Sequence, residues 1–174
     1  MKTVSVVSAK DQIEKVIKLL IPVQEKLEIH ELLITSEELT LVLASLQSLA
    51  SCPVWGQETR RLHSTYMRTL QDLPWGSLRL QLHVQVHRFF CQNPDCKRKI
   101  FTERLPELVE PFARRTNRLR DALLTIAWAL GGEAGAKQCA AHAMPVCASN
   151  LLSLLRRQGV STAHCSDSSI SWRR

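Results

Sequence analysis

An α+β fold follows from three features of the sequence. Apolar and polar residues alternate strictly from Leu78 to Val86. Turn residues Pro74 and Gly76 separate two strand-like runs. Three stretches of helical period follow Ala113. The prediction is a small β-rich module followed by a three-helix module. At 174 residues the chain holds one domain or two small ones. Its 45% apolar and 22% charged content is that of a foldable soluble chain.

Residues 1–50 read as a leader with a helix and a β-hairpin. Ser8 caps a helix over 8–20, with Asp11 three residues on and Ile13, Val16, Ile17 and Leu20 as its apolar stripe. Pro22 ends it. "LEIHELLI" and "LTLVLASL", parted by "TSEE", read as two strands, although leucine and alanine also permit helix. His30 in the first is a surface side chain. "LTLVLASLQSLA" is too short and too polar for a membrane span, which needs about 18 apolar residues. Lys2 is followed by no apolar core with a cleavage site, so no signal peptide is expected. The six cysteines then read as thiols or metal ligands rather than disulfides.

Residues 51–105 form the second unit. "RRLHSTYMRTL" is a strand, "QDLPWGS" a turn, and "LRLQLHVQVHRFF" a half-buried strand. Leu78, Leu80, Leu82, Val84 and Val86 point one way; Arg79, Gln81, His83, Gln85 and His87 point the other. Cys52 precedes this hairpin, and Cys91 and Cys96 follow it. That is the layout of a zinc ribbon, in which two loops at one end of a small sheet surround one tetrahedral ion. Such a sheet has little core, so the metal supplies much of its folding free energy. Trp55 stands where "CPVWG" lacks the second cysteine of a C-P-x-C-G knuckle, and tryptophan cannot ligate zinc. His63, His83, His87 or a water are the candidate fourth ligands. A metal-free remnant, with Trp55 packed into the gap, fits the same residues. Cys139, Cys147 and Cys165 share no ligand spacing and are assigned no metal.

The net charge of +7 is unevenly placed. Residues 1–50 carry five lysines against seven acidic groups, so the remainder carries +9, nearly all from arginine. Arginine's planar fork suits phosphates and guanine edges. A basic stripe of this kind is the footprint of a nucleic-acid surface, or else a solvated face. In the third unit, 111–159, "ARRTNRLRDALLTIAWAL" is a helix with Leu119, Leu123, Ile126, Ala127 and Leu130 on its apolar face. Arg114, Arg115, Arg118 and Arg120 crowd its first turns, against the helix dipole, which points to an external anion. "GGEAGAKQCAAHA" is the second helix, where Gly135 and Ala136 allow close approach. "SNLLSLLRRQG" is the third, with Leu151, Leu152 and Leu155 inward and Arg156 and Arg157 outward. Short helix, tight turn and second helix match a helix-turn-helix; plain three-helix packing fits equally. On the former reading Ala148, Ser149, Asn150 and Ser153 face base edges and the arginines face phosphates.

"CPVWG", "RLHSTYMRTLQDLPWG", "VHRFFCQNPDCKRKIFTERLPE", "ARRTNRLRDALLTIAWALGGEAGA" and "MPVCASNLLSLLRR" occur in this order, from Cys52 to Gln158. Together they resemble the transposases of the ISL-three group of bacterial insertion sequences. The resemblance implies a four-cysteine zinc finger, of which Cys52, Cys91 and Cys96 match ligands and Trp55 replaces the fourth. His63 belongs to the family's own "HSxYxRxLxDLP" stretch, which argues against a special ligand role. At the third helix Cys147 is a poorer cap than the family's serine.

The resemblance further implies a following catalytic domain whose carboxylates hold two metal ions for phosphoryl displacement. The sequence stops at Arg174 after an irregular, serine-rich stretch, 160–174, with Ser168 and Ser169 where that family has aspartates; Asp167 is not assigned a catalytic role. Truncation or frameshift of a longer gene is the expected account, and no catalytic residue is assigned. The expected function is DNA binding in a cytoplasmic, nucleoid-associated setting. The DNA-binding residues would be Arg114, Arg115, Arg118, Ser149, Asn150, Ser153, Arg156 and Arg157. The expected partners are zinc and duplex DNA at terminal inverted repeats, with a homodimer admissible and no membrane. The alternative is a non-catalytic basic interaction or regulatory protein, either an inert remnant or an inhibitor of transposition. An enzyme would need an acidic cluster or a nucleophile–base pair, and the sequence offers neither.

Overall fold

The computed structural model describes Ile17 and residues 26–157. The helix expected over 8–20, Ile17 apart, and the stretch from 160 onward lie outside the described residues; Ile17 itself is helical and buried. Among the described residues seven strands are formed: β1 (Leu27–Ile34), β2 (Glu38–Ser45), β3 (Ala50–Ser51), β4 (Glu58–Thr59), β5 (Leu62–Trp75), β6 (Leu78–Phe90) and β7 (Ile100–Thr102). Three helices come after them: α1 (Asn117–Leu130), α2 (Glu133–Ala141) and α3 (Ala148–Arg157).

The main sheet has the order β1-β2-β6-β5, with β7 also on β6. β1 pairs antiparallel with β2, β2 parallel with β6, and β5 antiparallel with β6. The sheet is therefore continuous across residue 50, because the leader's hairpin lies against the central strand of the cysteine-bearing unit.

Leu80, Leu82, Val84 and Val86 of β6 are wholly buried, as their alternation predicts. They meet Leu39, Leu41 and Leu43 of β2 and Leu70 of β5 beneath Leu105, Leu108 and Val109. Each such side chain contributes about 1.5–3 kcal/mol. The opposite face of β6 has a different occupant at its far end. Phe89 is buried there with Ala50, Cys52, Cys96 and Phe101 in a second, small core. One long strand thus serves the main core on one face and the cysteine core on the other.

The hairpin turn is shorter than its composition predicts. β5 runs on through Trp75, and the chain reverses at Gly76, whose φ of 60° suits glycine. Pro74 is accommodated at a register irregularity between Asp72 and Trp75, on a strand at the end of the sheet order, where a missing N–H is tolerated.

α1 begins at Asn117 rather than near Ala113. Thr116 is its cap and accepts a hydrogen bond from the Leu119 N–H at 3.3 Å. The residues before it are taken by the sheet edge instead. Gln71 N–H donates to the Arg114 carbonyl at 2.9 Å, and Thr116 N–H donates to the Gln71 carbonyl at 3.0 Å. The buried Asp72 completes the joint, accepting from Thr116 Oγ1 at 2.6 Å and Arg118 Nε at 2.7 Å.

The helical core comprises Leu119, Leu123, Ala127, Cys139, Met144 and Leu151. A Cβ on Gly135 would stand 3.1 Å from Leu151 Cδ1, so this glycine does permit the close approach of α2 and α3. Leu152 and Leu130, expected inward, are exposed; Leu155 packs against the core as expected, and Leu154 joins it there. Among the described residues, no helix is long and apolar enough to cross a membrane.

Candidate metal centre and nucleic-acid interface

Cys52 lies between β3 and β4, Cys91 directly after β6, and Cys96 in the loop leading to β7. Their three sulfurs lie within 4.8 Å of one another. The Cys52 and Cys96 sulfurs are 3.8 Å apart. Two Zn–S bonds of about 2.3 Å at the tetrahedral angle span about 3.8 Å, so the spacing fits one shared ion.

The backbone around the sulfurs also has the form of metal knuckles. N–H groups of Val54 and Trp55 donate to the Cys52 sulfur, and that of Asn93 donates to the Cys91 sulfur. Burial pushes the Cys52 thiol up, but these backbone donors and the neighbouring thiols outweigh it and hold it below the usual thiol range. At Cys91, burial and the adjacent sulfurs win over the single backbone donor, and the thiol is pushed up. Gly56, at φ 70°, closes the first knuckle by donating its N–H to the Cys52 carbonyl at 2.7 Å. The knuckle is therefore formed although its second cysteine is missing.

Trp55 does not fill the gap by packing, because it is 55% exposed. Nor does a histidine replace the lost ligand; the cluster among the described residues is Cys52, Cys91 and Cys96 alone. His63 Nδ1 is 2.7 Å from Ser64 Oγ, and its ring meets Phe90 edge-on. His83 belongs to the polar face of the sheet. His87 Nδ1 is 3.5 Å from an oxygen of the buried Glu103, which also accepts from Ser45 Oγ at 2.7 Å and from the His87 N–H at 2.6 Å. Three thiolates and no fourth donor among the described residues fit a zinc ion with one position left for a small exogenous ligand. Cys139 sits in the helical core, where burial raises its thiol. Cys147 is exposed before α3, its sulfur 3.2 Å from Ser149 Oγ, and this contact lowers its pKa.

The arginines divide into two sets. Arg118 and Arg120 are held within the fold, the first by Asp72 and the second by Glu110 and Asp121. These carboxylates offset the placement of both arginines against the α1 dipole, so an external anion is not needed to explain them. Arg114, Arg115 and Arg157 have no ion-pair partner among the described residues. They line one groove of about 1100 Å³, together with Arg79, Arg120 and Asn150. Its floor includes Gln71 and Gln81 from the polar face of the sheet, and α3 forms its other side. Arg115 lies close enough to Cys147 to lower that thiol, which places it beside the start of α3. Of the expected DNA-binding residues, the fold therefore collects Arg114, Arg115, Asn150 and Arg157. Ser149, Ser153 and Arg156 lie outside this groove, and Arg118 serves the sheet–helix joint.

Two features escaped sequence reasoning. Arg79 reaches the groove from the sheet, and Phe112 stands 85% exposed at its lip. The alternation of β6 assigns Arg79 to the outer face. Only the tertiary arrangement sets it opposite α3.

No curated protein and no solved structure matches the chain. Residues 48–96 match the family model described as the zinc-finger of transposase IS204/IS1001/IS1096/IS1165. That span contains the hairpin, both knuckles and all three clustered cysteines. Over these residues the chain is similar to the zinc ribbon of the ISL-three transposases, and the three cysteines it holds there cluster as potential metal ligands.

Proposed function

We propose that the protein binds duplex DNA at transposon ends through the groove between the sheet and α3. It acts as a recognition module and supplies no strand-breaking chemistry of its own. The observation that carries this reading is the convergence of Arg114, Arg115 and Arg157, none with a carboxylate partner among the described residues, in one groove with Arg79 and Asn150. Guanidinium groups left without internal partners are available to phosphates. The match of residues 48–96 to a transposase zinc finger supports the same reading.

On this proposal α2 and α3 act as a helix-turn-helix, with Asn150 and its neighbours Ser149 and Ser153 toward base edges and Arg156 and Arg157 on phosphates. The zinc ribbon fixes the end of β6, and through the sheet it positions Arg79 and the β5 edge on which Arg114 and Arg115 are seated. Arg118 contributes by anchoring α1 to Asp72. A protein carrying this function alone would compete with a complete transposase for the same ends.

The test is binding of the full chain to a labelled duplex bearing the terminal inverted repeat, against a scrambled duplex. Tighter binding to the repeat that weakens on replacing Asn150 supports end recognition. Equal binding to both, unchanged by Asn150→Ala, would reduce the function to non-specific DNA contact. No binding to either at low salt removes the reading altogether.

A further inference from the structure

Phe112 is the most exposed large apolar side chain among the described residues, at 85%. Its backbone is left-handed, with φ 64°. Ala113 N–H donates to the Glu110 carbonyl at 3.2 Å, which closes a turn with Pro111 second and Phe112 third. A positive φ at the third position after proline marks a type II turn, where glycine or asparagine is usual. The turn is also pinned from outside. Arg68 donates to the Ala113 carbonyl at 2.7 Å, and Gln71 donates to that of Arg114. The ring is thus held outward on a fixed backbone.

Its surroundings are cationic. The guanidinium of Arg104 lies 5.5 Å from the ring centroid. A second groove, of about 630 Å³ and carrying Arg98 and Arg104, meets the larger one at Phe112 and Arg114. An aromatic face at the junction of two arginine-bearing grooves suits a ligand that is anionic along its length and has flat apolar faces. An unstacked nucleobase on a phosphate backbone has both properties.

We propose that Phe112 is a stacking platform for an unpaired base, presented either at a single-stranded end or by extrusion from a duplex. This rests on the DNA-binding reading above and adds a preference for distorted or frayed DNA. Stacking occurs only where a base is out of its helix, so intact duplex gains nothing from the ring.

The experiment measures affinity of the full chain for a blunt duplex, the same duplex with a short overhang, and the same duplex with an internal mismatch. 2-Aminopurine is placed at the unpaired position as a stacking reporter. The wild-type protein is expected to favour an unpaired substrate over the blunt one by about tenfold, with a change in 2-aminopurine emission on binding. An overhang preference identifies an end as the source of the base, and a mismatch preference identifies extrusion. Phe112→Gly is expected to keep the melting temperature, since glycine accepts the left-handed backbone, and to bind all three duplexes with equal affinity, losing the preference and the emission change. Phe112→Trp is expected to retain both. Equal affinity of wild-type protein for all three duplexes overturns the proposal while leaving DNA binding intact, as does a preference that survives Phe112→Gly. Failure to bind any duplex at low salt removes the DNA-binding reading with it.

Discussion

Single residues decide the metal site. Cys52, Cys91 and Cys96 converge, and the Val54 and Trp55 N–H groups still point to the Cys52 sulfur. The backbone at Trp55 therefore retains the knuckle, and the substitution removes a ligand atom rather than the fold of the loop. Trp55→Cys is predicted to raise zinc affinity by tenfold or more, read by competition with a chromophoric chelator. The spectrum of the cobalt-loaded variant should change as a fourth thiolate joins. An unchanged affinity would mean that residue 55 does not face the ion. Cysteines at these spacings are visible in a sequence, and so is the missing one. The Asp72–Arg118 pair is not, because it joins residues far apart in the chain through a sheet edge that only folding creates. Asp72→Ala removes the buried carboxylate that accepts from both Arg118 and Thr116. It is predicted to cost about 2–4 kcal/mol in urea unfolding, toward the lower end of what breaking a buried pair costs.

At the level of elements, periodicity was the reliable signal. The alternation in β6 gave both its length and its inward face, since each apolar residue from Leu80 to Val86 at even positions is buried. Boundaries were harder to read, for identifiable reasons. Pro74 suggested a turn, but an irregularity on a terminal strand accommodates it within β5. Ala113 to Arg115 have helical propensity, but the N–H and C=O of Gln71 hold them in an isolated β-bridge at Arg115, and Thr116 caps the helix only after them. In α3 the pair Leu151–Leu152 reads equally as core, and only the rotation of the helix places Leu151 inside and Leu152 outside. Two changes test the helical unit. Gly135→Leu, whose added side chain would press on Leu151, is predicted to lower stability by about 1–3 kcal/mol. Cys147→Ser supplies a better cap at the start of α3 and is predicted to raise stability by about 0.5–1 kcal/mol in thermal or urea unfolding. A loss on Cys147→Ser would show that the thiol's contact with Ser149 matters more than the cap.

The molecule as a whole joins what the sequence divides. The acidic leader contributes β1 and β2 to the sheet whose central strand ends at the cysteine cluster, and the opposite edge strand carries the residues that seat α1. The cysteine cluster and the groove are thus at two ends of one β-structure. Chelating the metal is predicted to loosen the small core around Phe89 and Phe101 first, with hydrogen-exchange protection falling in β3, β4 and β7 before the main sheet. The charge asymmetry of the sequence acquires a location, because Arg114, Arg115 and Arg157, without an ion-pair partner among the described residues, share a groove with Arg79. The most direct test of this groove as a DNA surface is the salt dependence of duplex affinity for wild-type protein and for Arg114→Ala/Arg157→Ala. Three phosphate contacts give a log–log slope near about −2.7 or steeper, and the double variant should flatten it by about 1.8 at an unchanged melting temperature. A slope near zero, or one the variant leaves untouched, would place the DNA elsewhere or nowhere on this protein.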